Sequence, residues 1–572
     1  MNRNPPIKEN IFKDPTYSHY VVQYQGDIEK EFLNYPTYYV NIINDRYAII
    51  SLPEEVQEIS ELPYFSTIVA IKPYDMYTLQ EISPLEASQA SFLQLNLPLN
   101  LTGRNTLVAI IDTGIDYLNE EFMDYEGNTR IEYIWDQTLD FIDRPNRIKV
   151  PFGVTYSKED IQEAINLSKS GGDPYSIVPS KDEIGHGTEM TGIIGSTGKN
   201  PLLRGVVPNC KFVVVKLIED YGFQKQFNIK IPTFNVTSVF FALNFLSKYQ
   251  LMSSFPMVIY FPLGTSLGSH KGNDLLSKYI DSICLISGIV VVSGTGNERA
   301  SGGHASGVLS TSEPTRTIEL DVSPEQENII VEIWTEPPNI ISLDIISPSG
   351  ENTGIINHLI NTTTTYTFLF EKTELKVNYY IPEESSGSQL IRVRFSKLQP
   401  GIWIFRVIGD LILDGVFNAW IPQQGISVGG THFIPEDPYG TITSPGNATV
   451  LVTAAAYNQN NNNILNYSGM AFNTNYAGVI DVAAGGVNAL TVAPNNKTAI
   501  VNGTSVAAAI VSGACSMLFE WGDVQGNNPN MYAQTIKAYL ARGVTQRPGD
   551  VYPNPQWGYG ILNIFVMFQN IT

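Results

Sequence analysis

Three short motifs hold residue types that together could carry out acyl transfer. The first, Val108-Ala109-Ile110-Ile111-Asp112-Thr113-Gly114-Ile115-Asp116, is an apolar run ending on a carboxylate. A carboxylate at the carboxyl end of a buried parallel strand lies where α/β sheets place their sites. The second is Gly185-His186-Gly187-Thr188, followed by a helix-compatible run to Ile194, with glycines that let backbone and substrate approach the imidazole. The third, Asn502-Gly503-Thr504-Ser505-Val506-Ala507-Ala508-Ala509, sets a serine at the mouth of an Ala-rich helix. There the backbone N–H groups and the helix dipole favour an anion. A serine hydroxyl is a weak nucleophile unless a base takes its proton during attack, and the imidazolium so formed needs a carboxylate beside it. Each motif alone has an ordinary structural explanation; together, in the order Asp…His…Ser, they form the set that this chemistry requires.

The elements that must position these residues belong to an α/β fold. Leu107–Ile111, Lys211–Lys216, Met257–Phe261 and Gly288–Ser293 are continuous apolar or near-apolar runs, separated by helical stretches such as Val236–Tyr249. Strands apolar on both faces indicate a mostly parallel sheet with helices on both sides. The first ~90 residues read as a small α+β module, with strands at Tyr20–Tyr24, Tyr47–Leu52 and Ser66–Lys72 and helices at Ile28–Leu33 and Pro53–Leu62. Ser83–Leu101 reads as a linker. Between about 312 and 425 the texture becomes short β runs (Ile329–Trp334, Ile341–Ile346, Tyr366–Phe370, Leu390–Phe395, Ile402–Val407, Gly415–Trp420). That spacing predicts an inserted antiparallel jelly roll or sandwich.

With these motifs on one α/β frame, the chain resembles the subtilase family of serine peptidases. The resemblance implies Ser505 as nucleophile, His186 as general base and acid, and Asp112 as the group fixing the imidazole tautomer. Val291-Val292-Ser293-Gly294-Thr295-Gly296-Asn297-Glu298 is similar to the family's oxyanion motif, which implies Asn297 as the oxyanion donor and Gly294, Thr295 and Gly296 beside the substrate. Phe261-Pro262-Leu263-Gly264 resembles the strand that pairs with substrate, so Leu263 and Gly264 are expected at its wall. Trp557-Gly558-Tyr559-Gly560 matches the C-terminal signature. His304 is a candidate for the substrate side, and Asp116 and Asp182 read as solvated loop carboxylates. No metal and no cofactor is expected: Ser196–Pro208 looks too short for the family's calcium loop.

The resemblance further implies four segments: a propeptide, 1–94; a first catalytic part, 95–311; the β-rich insert, 312–430; and a second catalytic part, 431–572. The propeptide is expected to act as a chaperone, to be cut between Glu86 and Leu95, and to lie in the cleft. The Gly127-Asn128-Thr129-Arg130-Ile131 region, the long passage to His186 and the insert make the chain similar to the Csp-type germination proteases of spore-forming clostridia. This implies limited proteolysis of a spore cortex-lytic proenzyme. A general intracellular subtilase stays open, as does a catalytically silent Csp-like sensing scaffold, although Asp112, His186, Ser505 and Asn297 are all present. No Gly-x-Ser-x-Gly elbow surrounds Ser505, which disfavours an esterase.

Composition bounds the partners. The 572 residues carry 35 Lys+Arg against 56 Asp+Glu, a formal net charge of −21. Phosphate affinity comes from Lys and Arg, so neither nucleic acid nor an anionic membrane surface is expected as a partner. A protein substrate and the chain's own propeptide are. No apolar run reaches the ~20 residues of a membrane span, and the start, MNRNPPIKEN, lacks the apolar core of a signal peptide. Cys210, Cys284 and Cys515 are an odd, widely spaced set without metal spacing. A cytoplasmic or spore-associated location is the expectation.

Overall fold

The runs Leu107–Asp112 and Ile289–Gly294 are buried at every position, which demands cover on both faces of the sheet that contains them. The computed structural model describes residues 11–53, 64–72, 76–79, 88–95, 99–142, 148–360, 362–476 and 478–571. Its central sheet runs in the order Val544–Thr545, Ile561–Leu562, Val482–Gly485, Val452–Asn458, Ile289–Gly294, Met257–Tyr260, Leu107–Asp112, Lys211–Lys216, Ile131–Asp136, Val154–Ser157. Every pair from Ile561–Leu562 to Ile131–Asp136 is parallel, and the two outer pairs are antiparallel. Leu107–Asp112 has Lys211–Lys216 on one side and Met257–Tyr260 on the other. The chain order therefore reverses at its carboxyl end, the place where open α/β sheets form a cleft. The α/β fold with a mostly parallel sheet is the one expected.

The described helix long and apolar enough to cross a membrane, Thr504–Val524, is enclosed within the fold. It is a core helix, and every side chain from Thr504 to Phe519 is buried.

From His304 to Ile434 the chain builds two antiparallel sheets. One orders His304–Val308, Val416–Trp420, Ile329–Thr335, Gln389–Ser396, Glu374–Tyr380 and Thr363–Thr367; the other orders Ile340–Ile346, Gly401–Leu411, Thr315–Val322 and His432–Ile434. They enclose a separate core that includes Leu320, Ile333, Leu343, Val393, Trp403 and Phe405. The outer strands extend beyond the expected 312–430. Four strands were not anticipated: His304–Val308, Thr315–Val322, Glu374–Tyr380 and His432–Ile434. In Thr315–Val322 the alternation of buried Ile318, Leu320 and Val322 with half-buried Glu319 and Asp321 was the available signal.

At the N-terminus, Tyr39–Ile42, Tyr47–Leu52, Ser18–Tyr24 and Ile68–Ile71 form a four-stranded sheet in that order, with a helix at Ile28–Phe32. The expected helix at Pro53–Leu62 lies, beyond Pro53, outside the described residues. The Tyr47 ring packs against Phe240 and Tyr279, 5.9 and 5.5 Å away, and these two rings stack at 4.9 Å. Lys72 Nζ approaches Asp274 Oδ1 at 3.4 Å, largely out of solvent. Asp274 also caps the helix Leu275–Cys284 by accepting from the Leu276 and Ser277 N–H groups.

The segment Ser83–Leu101 corrects an expectation. Within its described part, Ala90–Leu95 is helical rather than a linker. Leu93 is buried, and the Gln94 amide donates to the carbonyls of Gly205 and Val206 at 2.9 Å each. Six residues are too few to show a helical period.

Candidate active site

Asp112 ends its strand fully buried, with one carboxylate oxygen accepting from the Thr113 N–H at 2.7 Å. His186 opens the helix His186–Gly195, and its Nδ1 lies 2.9 and 2.8 Å from the two Asp112 carboxylate oxygens. An ionised carboxylate only accepts, so Nδ1 carries the proton and Nε2 is left as the basic nitrogen. Two packing facts hold this pair. The Gly187 N–H donates to Thr113 Oγ1 at 3.0 Å. A Cβ at Gly187 would stand 2.2 Å from the Gly114 carbonyl oxygen, so only glycine allows the helix this close to the strand end.

The start of that helix is capped by Asp182, which sequence reasoning had placed in solvent. It is buried and accepts from the Gly185 N–H at 2.8 Å, and from the Thr188 N–H and hydroxyl at 2.9 and 2.7 Å. Thr188 Oγ1 in turn accepts from the Asp116 N–H at 2.9 Å. Asp116 is half-buried and accepts from the Asn495 N–H at 2.9 Å, so it is not a free loop carboxylate either.

Ser505 is the second residue of the helix Thr504–Phe519 and is buried. Gly503 before it has φ of 138°, a conformation that favours glycine. That turn opens the helix, whose first backbone N–H groups have no intrahelical acceptor. This helix packs against the His186 helix and against Met257–Tyr260. The Tyr260 hydroxyl donates to the Ser505 carbonyl at 3.0 Å. Sequence reasoning missed Tyr260; a tyrosine ending an otherwise aliphatic strand was the available signal.

Asn297 follows the strand Ile289–Gly294, and its side-chain oxygen accepts from the Thr504 N–H and hydroxyl at 3.3 and 3.2 Å. The bond to Thr504 commits the oxygen of the amide and directs the NH₂ group away from that residue. Gly294 packs so closely on Thr504 that a Cβ would lie 2.8 Å from its carbonyl oxygen. Thr295 is buried against Ser468, Oγ1 to Oγ 3.0 Å, and Gly296 accepts from the Gly469 N–H at 2.9 Å.

Leu263–Gly264 is a two-residue buried strand. It pairs antiparallel with Met76–Leu79, which pairs on its other side with Thr233–Asn235. An N-terminal segment therefore runs as the middle strand of a three-stranded sheet beside the predicted substrate wall.

His304 is not at this site. It opens a strand of the β-rich unit, stacks on Trp420 at 4.7 Å, and bonds the Asp437 carbonyl and the Asn418 side-chain oxygen. Trp557 packs on Tyr457 at 5.6 Å, a structural role for its motif. The stretch after the His186 helix is cinched by Glu121, whose carboxylate accepts from the Gly198, Lys199 and Asn200 N–H groups. Among the described residues, no group of three or more His, Cys, Asp or Glu could hold a metal ion.

The model of the subtilase family matches residues 103–318 and 428–560, more than half of the chain. Among solved structures, the chain is similar to the CspB protease of Clostridium perfringens, with a TM-score of 0.74 and 30% identity over 84% of this chain and 96% of that one. It also shares the fold of fervidolysin from Fervidobacterium pennivorans, a keratinolytic enzyme related to subtilisin. That likeness has a TM-score of 0.50 and 12% identity, over 97% of this chain and 61% of the other. No curated protein matches the chain.

Proposed function

The chain belongs to the subtilase family, and from that premise we propose that Asp112, His186, Ser505 and Asn297 are its peptide-cleaving residues. As a serine endopeptidase it must turn a hydroxyl into a nucleophile. In our reading His186 Nε2 takes the Ser505 proton as Oγ bonds to the substrate carbonyl carbon. Asp112, hydrogen-bonded to Nδ1, holds the tautomer and stabilises the imidazolium that forms. The carbonyl oxygen becomes an oxyanion, to which Asn297 Nδ2–H and the Ser505 N–H donate. The peptide C–N bond then breaks, and the leaving amine takes the proton from His186. Water, deprotonated by the same nitrogen, releases the acyl group and restores Ser505. The observation that carries this reading is the pair of contacts from His186 Nδ1 to a fully buried Asp112.

The N-terminal residues serve as a propeptide whose strand Met76–Leu79 lies in the substrate cleft, an assignment supported by its pairing with Leu263–Gly264. The helix Ala90–Leu95, with Ala90, Leu93 and Gln94 buried, belongs with the catalytic part. The cut therefore falls after Leu79 and before Ala90, at or ahead of the first residues of the Glu86–Leu95 window. The natural substrate is a spore cortex-lytic proenzyme, cleaved at a limited site during germination, and the protein works in or on the spore; the likeness to CspB supports this.

The test is the intact mass of purified wild type beside Ser505→Ala. Two wild-type fragments joined between Leu79 and Ala90, with an uncut variant, support the assignment. Two full-length chains would overturn self-processing and favour a sensing or scaffold role.

A further inference from the structure

The strand Met76–Leu79 has a third neighbour besides its two flanking strands. The turn between the insert strands Val416–Trp420 and His432–Ile434 brings Gln423, itself buried, against the same sheet. Gln423 Nε2 lies 3.3 Å from the Met76 carbonyl oxygen and 3.1 Å from that of Gly264, and its Oε1 accepts from the Ser266 N–H at 3.3 Å. One amide thus touches both the occupying strand and the wall it lies against. Three residues on, Ile426 is buried in a small apolar cluster around the Met76 side chain, with Phe223, Phe227, Ile229 and Ile231. The turn is braced on both sides. The Gln424 N–H donates to Glu298, next to Asn297, at 3.1 Å, and the Val428 N–H donates to Gln326 at 2.7 Å.

We propose that this turn is an extended substrate subsite, an inference that rests on the proteolytic reading above. Gln423 is a substrate-positioning residue that bonds the main-chain carbonyl of the substrate residue standing where Met76 stands. Ile426, with Phe223 and Ile229, selects a long apolar side chain at that position. The substrate class is an extended peptide that adds a strand to this sheet and carries an apolar residue upstream of the scissile bond. Main-chain bonds with pockets for particular side chains are the recognition mode of strand addition. A turn that served only to join two strands of the insert would have no reason to bond the backbone of a separable strand.

The test uses two quenched fluorogenic peptides copying residues 74–92, which span the whole proposed cleavage window, one with the natural sequence and one with Met76→Asp. Values of kcat and KM are measured for wild type, Gln423→Ala, Ile426→Lys and Ile426→Ala, with melting curves alongside. Wild type should prefer the natural peptide at least about tenfold. Gln423→Ala should raise KM for both peptides alike, by about threefold to tenfold, with kcat little changed. Both Ile426 variants should shrink the preference between the peptides, and Ile426→Ala keeps the test decisive if the lysine variant does not fold. Casein hydrolysis that depends on Ser505, combined with equal or absent cleavage of the two peptides, overturns the subsite and leaves proteolysis standing. So do variants with the wild-type KM and preference. Hydrolysis of neither peptide nor casein overturns the proteolytic reading itself.

Discussion

The Tyr260 phenol donates to the Ser505 carbonyl at 3.0 Å, tying the end of a central strand to the first turn of the helix that carries the proposed nucleophile. Burial, with the negative charge of Asp112 nearby, pushes the Tyr260 pKa well above the ordinary phenol value. The group therefore remains a donor through the neutral range. Tyr260→Phe keeps the ring and deletes this one bond, which should cost about 1 kcal/mol of stability. Because the bond sets where Ser505 sits, kcat should fall about tenfold with KM nearly unchanged. A lower melting temperature with wild-type kcat would reduce Tyr260 to a purely structural residue.

Asp182 fixes the other end of the proposed proton path. Its carboxylate gathers the Gly185 and Thr188 N–H groups at the start of the His186 helix. Asp182→Ala removes that cap, for a loss of about 1 kcal/mol. It also frees His186 to leave its position over Asp112. Asp182→Asn keeps one oxygen acceptor but sets an NH₂ group against the donors on the other side, so it should recover only part of both losses, which stability and kcat measurements on the two variants would check. Equal activity of Asp182→Ala and wild type would detach this cap from catalysis.

The difference between what the sequence disclosed and what it hid follows from how many constraints a residue satisfies locally. Gly503 and Gly187 were legible because backbone conformation and close approach leave few alternatives, and both stand beside the residue they serve. The parallel strands were legible because burial on both faces requires unbroken apolar runs. Gln423 was not, since its partners, Met76 and Gly264, are 347 and 159 residues away and a glutamine in a Pro-Gln-Gln-Gly turn reads as solvated. Asp182 was hidden for the same reason: a helix cap and an exposed carboxylate look alike until the helix start is known. His304 follows Asn297 closely in sequence, but the strand it begins carries it into the insert.

Asn297 tests the oxyanion assignment. Its side-chain oxygen is held by Thr504, so Asn297→Ala removes an amide whose orientation is already fixed. The oxyanion exists only in the transition state, so the loss should appear in kcat and scarcely in KM. Removing the corresponding donor in subtilisin lowers kcat by about 10²–10³, and that magnitude is taken over from the related enzyme. Asn297→Asp should do no better, since a carboxylate offers no N–H and adds a like charge. A change confined to KM would move Asn297 from transition-state stabilisation to substrate positioning.

Acid should loosen the N-terminal module from the catalytic part. His19 is buried in the strand Ser18–Tyr24, with Nδ1 2.9 Å from Ser51 Oγ and its ring 4.6 Å from Phe12. Phe12 packs edge-on against Phe241 of the catalytic part at 5.2 Å. Burial lowers the His19 pKa to about 4, and the nearby Asp220 and Asp14 carboxylates only partly oppose it. The unfolded chain, with an ordinary histidine near 6.5, binds a proton between pH 6.5 and 4 that the folded module does not. The contribution is therefore complete above pH 6.5 and falls away as pH drops toward 4, by roughly 3 kcal/mol in all. His270, also lowered to about 4 by burial, and His304, lowered by the same cause, add further shares on the acid side from their places against Trp420. The midpoint of the first thermal transition should thus fall between pH 7 and 4.5 in wild type, and less steeply in His19→Phe. A slope unchanged by His19→Phe would show that His19 is not the group linking acid to release of the module.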